Sequence, residues 1–92
     1  MPARGLNGYT EAIRLGRESA DLYGSRAAAY PEIGDREHEI ADYTEAARLD
    51  PNGALYFAMR GEAYRITGEH DKAEADFKRQ RELGESIGRI GR

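Results

Sequence analysis

Residues Tyr9 to Leu15 read YTEAIRL and residues Tyr43 to Leu49 read YTEAARL. The two stretches differ only where Ala47 replaces Ile13, at an offset of 34 residues. The same offset pairs Tyr23 with Phe57, Arg26 with Arg60, Tyr30 with Tyr64 and Gly34 with Gly68. It also pairs Ala41-Asp42-Tyr43 with Ala75-Asp76-Phe77, and it links Leu15, Leu49 and Leu83. A fixed period of this length marks an array of supersecondary units. One unit cannot cover its own apolar face, so neighbours stack and share a continuous core. The unit is helical: Ala54, Phe57, Gly61 and Tyr64 fall at i, i+3, i+7 and i+10, on one face of a helix. Small residues opposite rings on such a face let two helices approach closely.

This pattern resembles the tetratricopeptide repeat family. In the second full unit Phe57 stands where the family has its Trp. Gly61 and Tyr64 follow at the family's spacing, then Gly68 at the turn, Ala73 and Phe77. In the first unit the corresponding residues are Tyr23, Ala27, Tyr30, Gly34 and Tyr43, with Pro51 closing the unit. The resemblance runs over roughly residues 5 to 84. It implies an all-α fold, an α-α superhelix of about five antiparallel helices, with two full repeats after a half repeat. The domain is then 1–84, divided into a half repeat 1–16 and repeats 17–50 and 51–84, with a Gly-rich tail over 85–92.

In chain order, Met1 to Leu15 reads as a helix with Tyr9, Ala12, Ile13 and Gly16 on one stripe. It is the second helix of a unit without its first, either a cap or a seam that pairs with another chain. The next helix spans Gly16 to Ile33, with Ser19 or Arg17 near its start. Pro31 belongs in the last turn of that helix or kinks it. Gly34 and Asp35 read as a C-cap glycine followed by an N-cap aspartate. The helix Arg36 to Leu49 should carry Ile40, Tyr43, Ala46, Ala47 and Leu49 inward. Glu39 occupies a position where the family has a small residue. Either the helices loosen and Glu39 reaches solvent, or it forms a buried ion pair with Arg26 or Arg60. Asp50-Pro51 reads as an aspartate cap with proline at the first helical position, opening a helix to Thr67 that Gly68 ends. A last helix, Glu69 to Leu83, places Ala73, Phe77 and Gln80 inward and Lys72, Lys78, Arg79 and Arg81 in solvent. Gly84 should stop it.

Composition narrows the function. The 92 residues contain no cysteine, so neither disulfides nor thiolate chemistry are available. The net charge of −3 argues against nucleic acid as the main partner. The charge is uneven: residues 1–46 hold five Arg against nine Asp or Glu, whereas 47–92 hold nine Lys or Arg against eight. No apolar run is long enough to span a membrane and no signal-peptide pattern is seen, so a cytoplasmic location is expected. His38 and His70 lie on different units without ligand-spaced partners, so no metal is expected. No phosphate loop, nucleophile elbow or His-Glu-x-x-His run is found. The expectation is a protein that is not an enzyme and holds no cofactor.

The resemblance implies that the first helix of each unit lines a concave groove. In the second unit that face holds Leu55, Ala58, Met59, Glu62 and Arg65. In the first it holds Asp21, Gly24, Ser25, Ala28 and Glu32. Some relatives clamp a peptide's terminal carboxylate with Lys and Asn on this face. The matching positions here are Gly24, Ala28, Ala58 and Glu62, so that clamp is lacking. The expected function is a non-catalytic protein–protein interaction module that binds a peptide or protein segment in the groove. The alternative is a structural unit that self-associates into a homo-oligomer through open helical ends.

Overall fold

A computed structural model describes the backbone of residues 2–90 and the side chains of 7–84. Five α-helices follow one another: α1 Pro2–Arg14, α2 Ala20–Ala29, α3 Arg36–Leu49, α4 Ala54–Ile66 and α5 His70–Ile90. There is no strand among the described residues. Each helix packs against the next in the chain, α1 on α2, α2 on α3, α3 on α4 and α4 on α5. The fold is all-α, two helix pairs stacked behind a leading helix, as the 34-residue period requires.

The helix ends follow from local chemistry. Gly34 and Gly68, one period apart, have φ of 78° and 85°. In that left-handed region a Cβ is strained, so glycine is the natural choice. At both places the residue after the glycine donates five residues back, Asp35 to the Tyr30 carbonyl and Glu69 to the Tyr64 carbonyl. Those bonds satisfy carbonyls the helix leaves open. Ser19 caps α2, its Oγ accepting from the Leu22 N–H at 3.1 Å, and Asp35 caps α3, accepting from His38 N–H at 3.2 Å. Pro31 lies in a 3-10 turn, Tyr30–Ile33, that continues α2. The helix tightens there because proline has no N–H for the α ladder. The His38 ring stacks on Tyr30, with centroids 5.3 Å apart, and ties the turn to α3.

The second helix begins at Ala20 rather than at Gly16, and two further boundaries differ from expectation. Asp50 does not cap α4. It terminates α3, donating its N–H to the Ala46 carbonyl at 2.9 Å, and Gly53 N–H donates to its carbonyl at 3.0 Å. Asp50-Pro51-Asn52-Gly53 is therefore a turn, and α4 starts at Ala54 behind Gly53. Proline's fixed φ suits the second position of a turn as well as the first turn of a helix, and the asparagine and glycine after it decide for the turn. Gly84 does not stop α5, which continues to Ile90. A single exposed glycine costs a helix only about 1 kcal/mol.

The core is thin and made of small residues and rings. Tyr23, Tyr43 and Leu83 are buried with Ala27, Ala46, Ala47, Ala63 and Ala73. Gly61 lies against Phe77: a Cβ there would come within 2.9 Å of the ring. Ala27 holds the equivalent place in the first pair and is fully buried. Leu49, expected inside, is 37 % exposed. Glu39 is buried, at 6 % exposure, and does not reach solvent. Its partner is neither Arg26 nor Arg60 but Arg36, one helical turn back, with Nη1 donating to Oε1 at 3.0 Å. Arg26 and Arg60 pair instead with Asp42 and Asp76.

Candidate functional site

The helices α2 and α4 stand side by side because each is the first helix of its pair. Between them runs a concavity of about 380 Å³. Asp21, Gly24, Ser25 and Ala28 form the α2 wall, and Leu55, Tyr56 and Met59 form the α4 wall. Tyr43, from α3, closes the floor. Leu55 is 65 % exposed and Met59 38 %, so both present apolar surface to solvent.

Tyr56 joins the two walls. Its hydroxyl donates to Asp21 Oδ1 at 3.1 Å. The ring fits between two glycines: a Cβ on Gly24 would lie 2.7 Å from Cε1, and one on Gly53 would lie 2.5 Å from Cδ2. Burial pushes the Tyr56 hydroxyl pKa up, and the bond to Asp21 and the charges of Asp21 and Asp50 add to it. Burial likewise raises Tyr43, with a smaller contribution from the Glu39 charge.

Of the residues singled out from sequence, the fold gathers Asp21, Ser25, Ala28, Leu55 and Met59 around this one concavity. Ala58, Glu62 and Arg65 stay outside its lining. Arg65 Nε donates to Glu62 Oε2 at 3.1 Å, a pair within one helical turn. The two tyrosines that shape the site, Tyr43 and Tyr56, were not read from the sequence. Tyr43 counted as a core ring, and Tyr56 has no aromatic partner one period away, since Leu22 holds that place. The available signal was the pair of glycines, Gly24 inside a helix and Gly53 before one.

No three His, Asp or Glu side chains converge as metal ligands among the described residues. No helix among them is long and apolar enough to cross a membrane.

The family model of the tetratricopeptide repeat matches residues 20–52 and again 54–80. None of the curated proteins matches the chain. Among solved structures, the second tetratricopeptide repeat domain of Spaghetti (RPAP3), bound to the HSP90 peptide SRMEEVD, is similar with a TM-score of 0.82. It is 33 % identical, over 89 % of this chain and 76 % of that one. Two consecutive family matches, on the helix pairs that build the concavity, show that the chain belongs to the tetratricopeptide repeat family.

Proposed function

We propose that this chain is a non-catalytic protein-interaction module that holds a segment of a partner protein in the concavity between α2 and α4. The observation that carries the reading is Leu55 and Met59, exposed side by side on the wall of a preformed depression. Apolar surface in a concave setting with a few polar groups is what a binding site offers a ligand. The peptide complex of the similar Spaghetti (RPAP3) domain supports it. An interface this small buries one or two anchors and relies on them.

The test uses the full chain as bait in an extract of its host, with captured proteins quantified by mass spectrometry. Leu55→Ala combined with Met59→Ala should lose at least 80–90% of specific capture, roughly a one- to two-kcal/mol effect, while far-UV circular dichroism stays unchanged. Undiminished capture by that folded variant rejects the groove.

A second reading is favoured by Leu15 and Leu49, equivalent positions that are both exposed, Leu15 at 61 %. Copies of the chain would associate through their open helical ends, with these leucines covered, into a homo-oligomer. Light scattering after gel filtration decides it, and a monomer at high micromolar concentration excludes it.

A further inference from the structure

The charges of the concavity are unequal. Asp21 is the single charged residue in its lining. It is exposed, and no Lys or Arg pairs with it among the described residues. Every cation of the two wall helices is already engaged. Arg26 is bound to Asp42, Arg60 to Asp76 and Arg65 to Glu62. The Tyr56 hydroxyl holds the Asp21 carboxylate at the rim, and Asp50 lies near enough to that ring to act on its hydroxyl. The α2 wall also belongs to the acidic half of the chain.

Resting on the groove reading, we infer that the concavity selects a partner segment in which a lysine or arginine stands beside a large apolar side chain, and that it rejects acidic tails. The apolar side chain lies on Leu55 and Met59, and the cation meets the Asp21 carboxylate. Tyr56 fixes that carboxylate in advance, so little rotamer freedom is lost when the cation arrives. An acidic segment would meet Asp21 with like charge and would find no free guanidinium or ammonium on either wall. Such repulsion is how a site excludes wrong partners. The peptide SRMEEVD of the similar Spaghetti (RPAP3) complex carries both features, an Arg beside a Met and a tail with three acidic residues, and it is the acidic tail, not the Arg-Met pair, that this groove should refuse.

The experiment is selection of a phage-displayed library of random dodecapeptides on the full 92-residue chain. Synthetic copies of the selected peptides are then titrated by fluorescence polarisation against wild type, Asp21→Asn and Leu55→Ala. Asparagine keeps an acceptor for Tyr56 and removes only the charge. The expected result is enrichment of Lys or Arg next to Leu, Met or Phe. Asp21→Asn should weaken these peptides about two- to fivefold and flatten their salt dependence. Selected peptides that are acidic or uncharged, bound equally by Asp21→Asn but weakened by Leu55→Ala, overturn the cation preference and leave the groove standing. Peptides indifferent to Leu55→Ala, or no enrichment at all, overturn both.

Discussion

Arg60 donates from Nε and Nη2 to the two carboxylate oxygens of Asp76, at 2.8 and 2.7 Å. Its remaining Nη1 donates to Thr44 Oγ1, on the helix before, at 3.2 Å. Arg26 repeats the arrangement one period earlier, with Asp42 at 2.6 and 2.8 Å and Thr10 at 3.2 Å. Each arginine therefore ties three consecutive helices, α1-α2-α3 and then α3-α4-α5. The Arg60 guanidinium also lies over the Phe57 and Tyr64 rings, at 5.5 and 5.8 Å from their centroids. Both aspartates are buried. In a core of alanines and rings, these forks fix the register in which successive pairs stack.

Removing one partner of a buried pair leaves the other charge uncompensated, whereas removing both does not. Asp76→Asn should cost about 3 kcal/mol and Asp42→Asn a similar amount, read from urea midpoints at constant slope. The double change Arg60→Met with Asp76→Leu should cost less than the sum of its singles by more than about 1 kcal/mol. Thr44→Val, which removes two exposed bonds, the one from Arg60 and the hydroxyl's own to the Ile40 carbonyl, should stay within about 1 kcal/mol. Additive singles would mean that the fork contributes no coupling.

Gly24 tests the Tyr56 wedge. Glycine to alanine inside a helix ordinarily gains up to about 1 kcal/mol. Here the new methyl meets the Tyr56 ring, whose other edge already lies close against Gly53. Gly24→Ala should destabilise by about 1–2 kcal/mol through overpacking. In a Tyr56→Ala background the same change should become stabilising. Thermal or urea unfolding of the four proteins reads this reversal of sign directly, and an unchanged sign rejects the wedge.

The alkaline limb of stability should belong to the buried tyrosines. Burial raises the folded-state pKa of Tyr43, and burial with Glu18 raises that of Tyr23, above the ordinary value of 10.0. For a raised group the stabilising contribution is complete below the unfolded pKa. It is lost as pH climbs through the folded one, because the unfolded chain gives up its proton first. The chain should therefore lose stability from about pH 10 upward. Tyr43→Phe keeps the ring and removes the titration, so it should flatten the decline above about pH 10. Equal slopes for the variant and wild type in that window would remove Tyr43 from the account.

The fold was legible because its signal is redundant. Tyr23 with Phe57, Tyr30 with Tyr64 and Gly34 with Gly68 all state one period, and no single exception can erase it. The forks were legible in principle. Arg26 and Arg60 share the offset, as do Asp42 and Asp76, and the separation of 16 residues within each pair is common to both repeats. Periodicity shows that positions are equivalent, not which ones touch. The buried alternative for Glu39 named Arg26 or Arg60 as its partner for that reason, although Arg36 was one turn away. The groove wall was legible where it follows the helical stripe, at Leu55 and Met59. Tyr56 was not, because its place depends on the absence of side chains at Gly24 and Gly53. Asp50-Pro51 misled because the same dipeptide opens helices and turns alike.

Glu39 separates a tolerated burial from a required one. It stands where the second repeat has the buried Ala73. Its carboxylate is buried while its partner Arg36 keeps about a third of its side chain in water. The two ends of this pair are thus unequal. Arg36→Ala strands a buried carboxylate and should cost about 2–3 kcal/mol. Glu39→Ala frees Arg36 to hydrate and installs the side chain that Ala73 shows to fit between such helices. It should cost less than about 1 kcal/mol, or gain stability. Urea midpoints of the two variants decide it: equal costs would mean that the pair contributes through mutual attraction rather than through the burden of one buried charge.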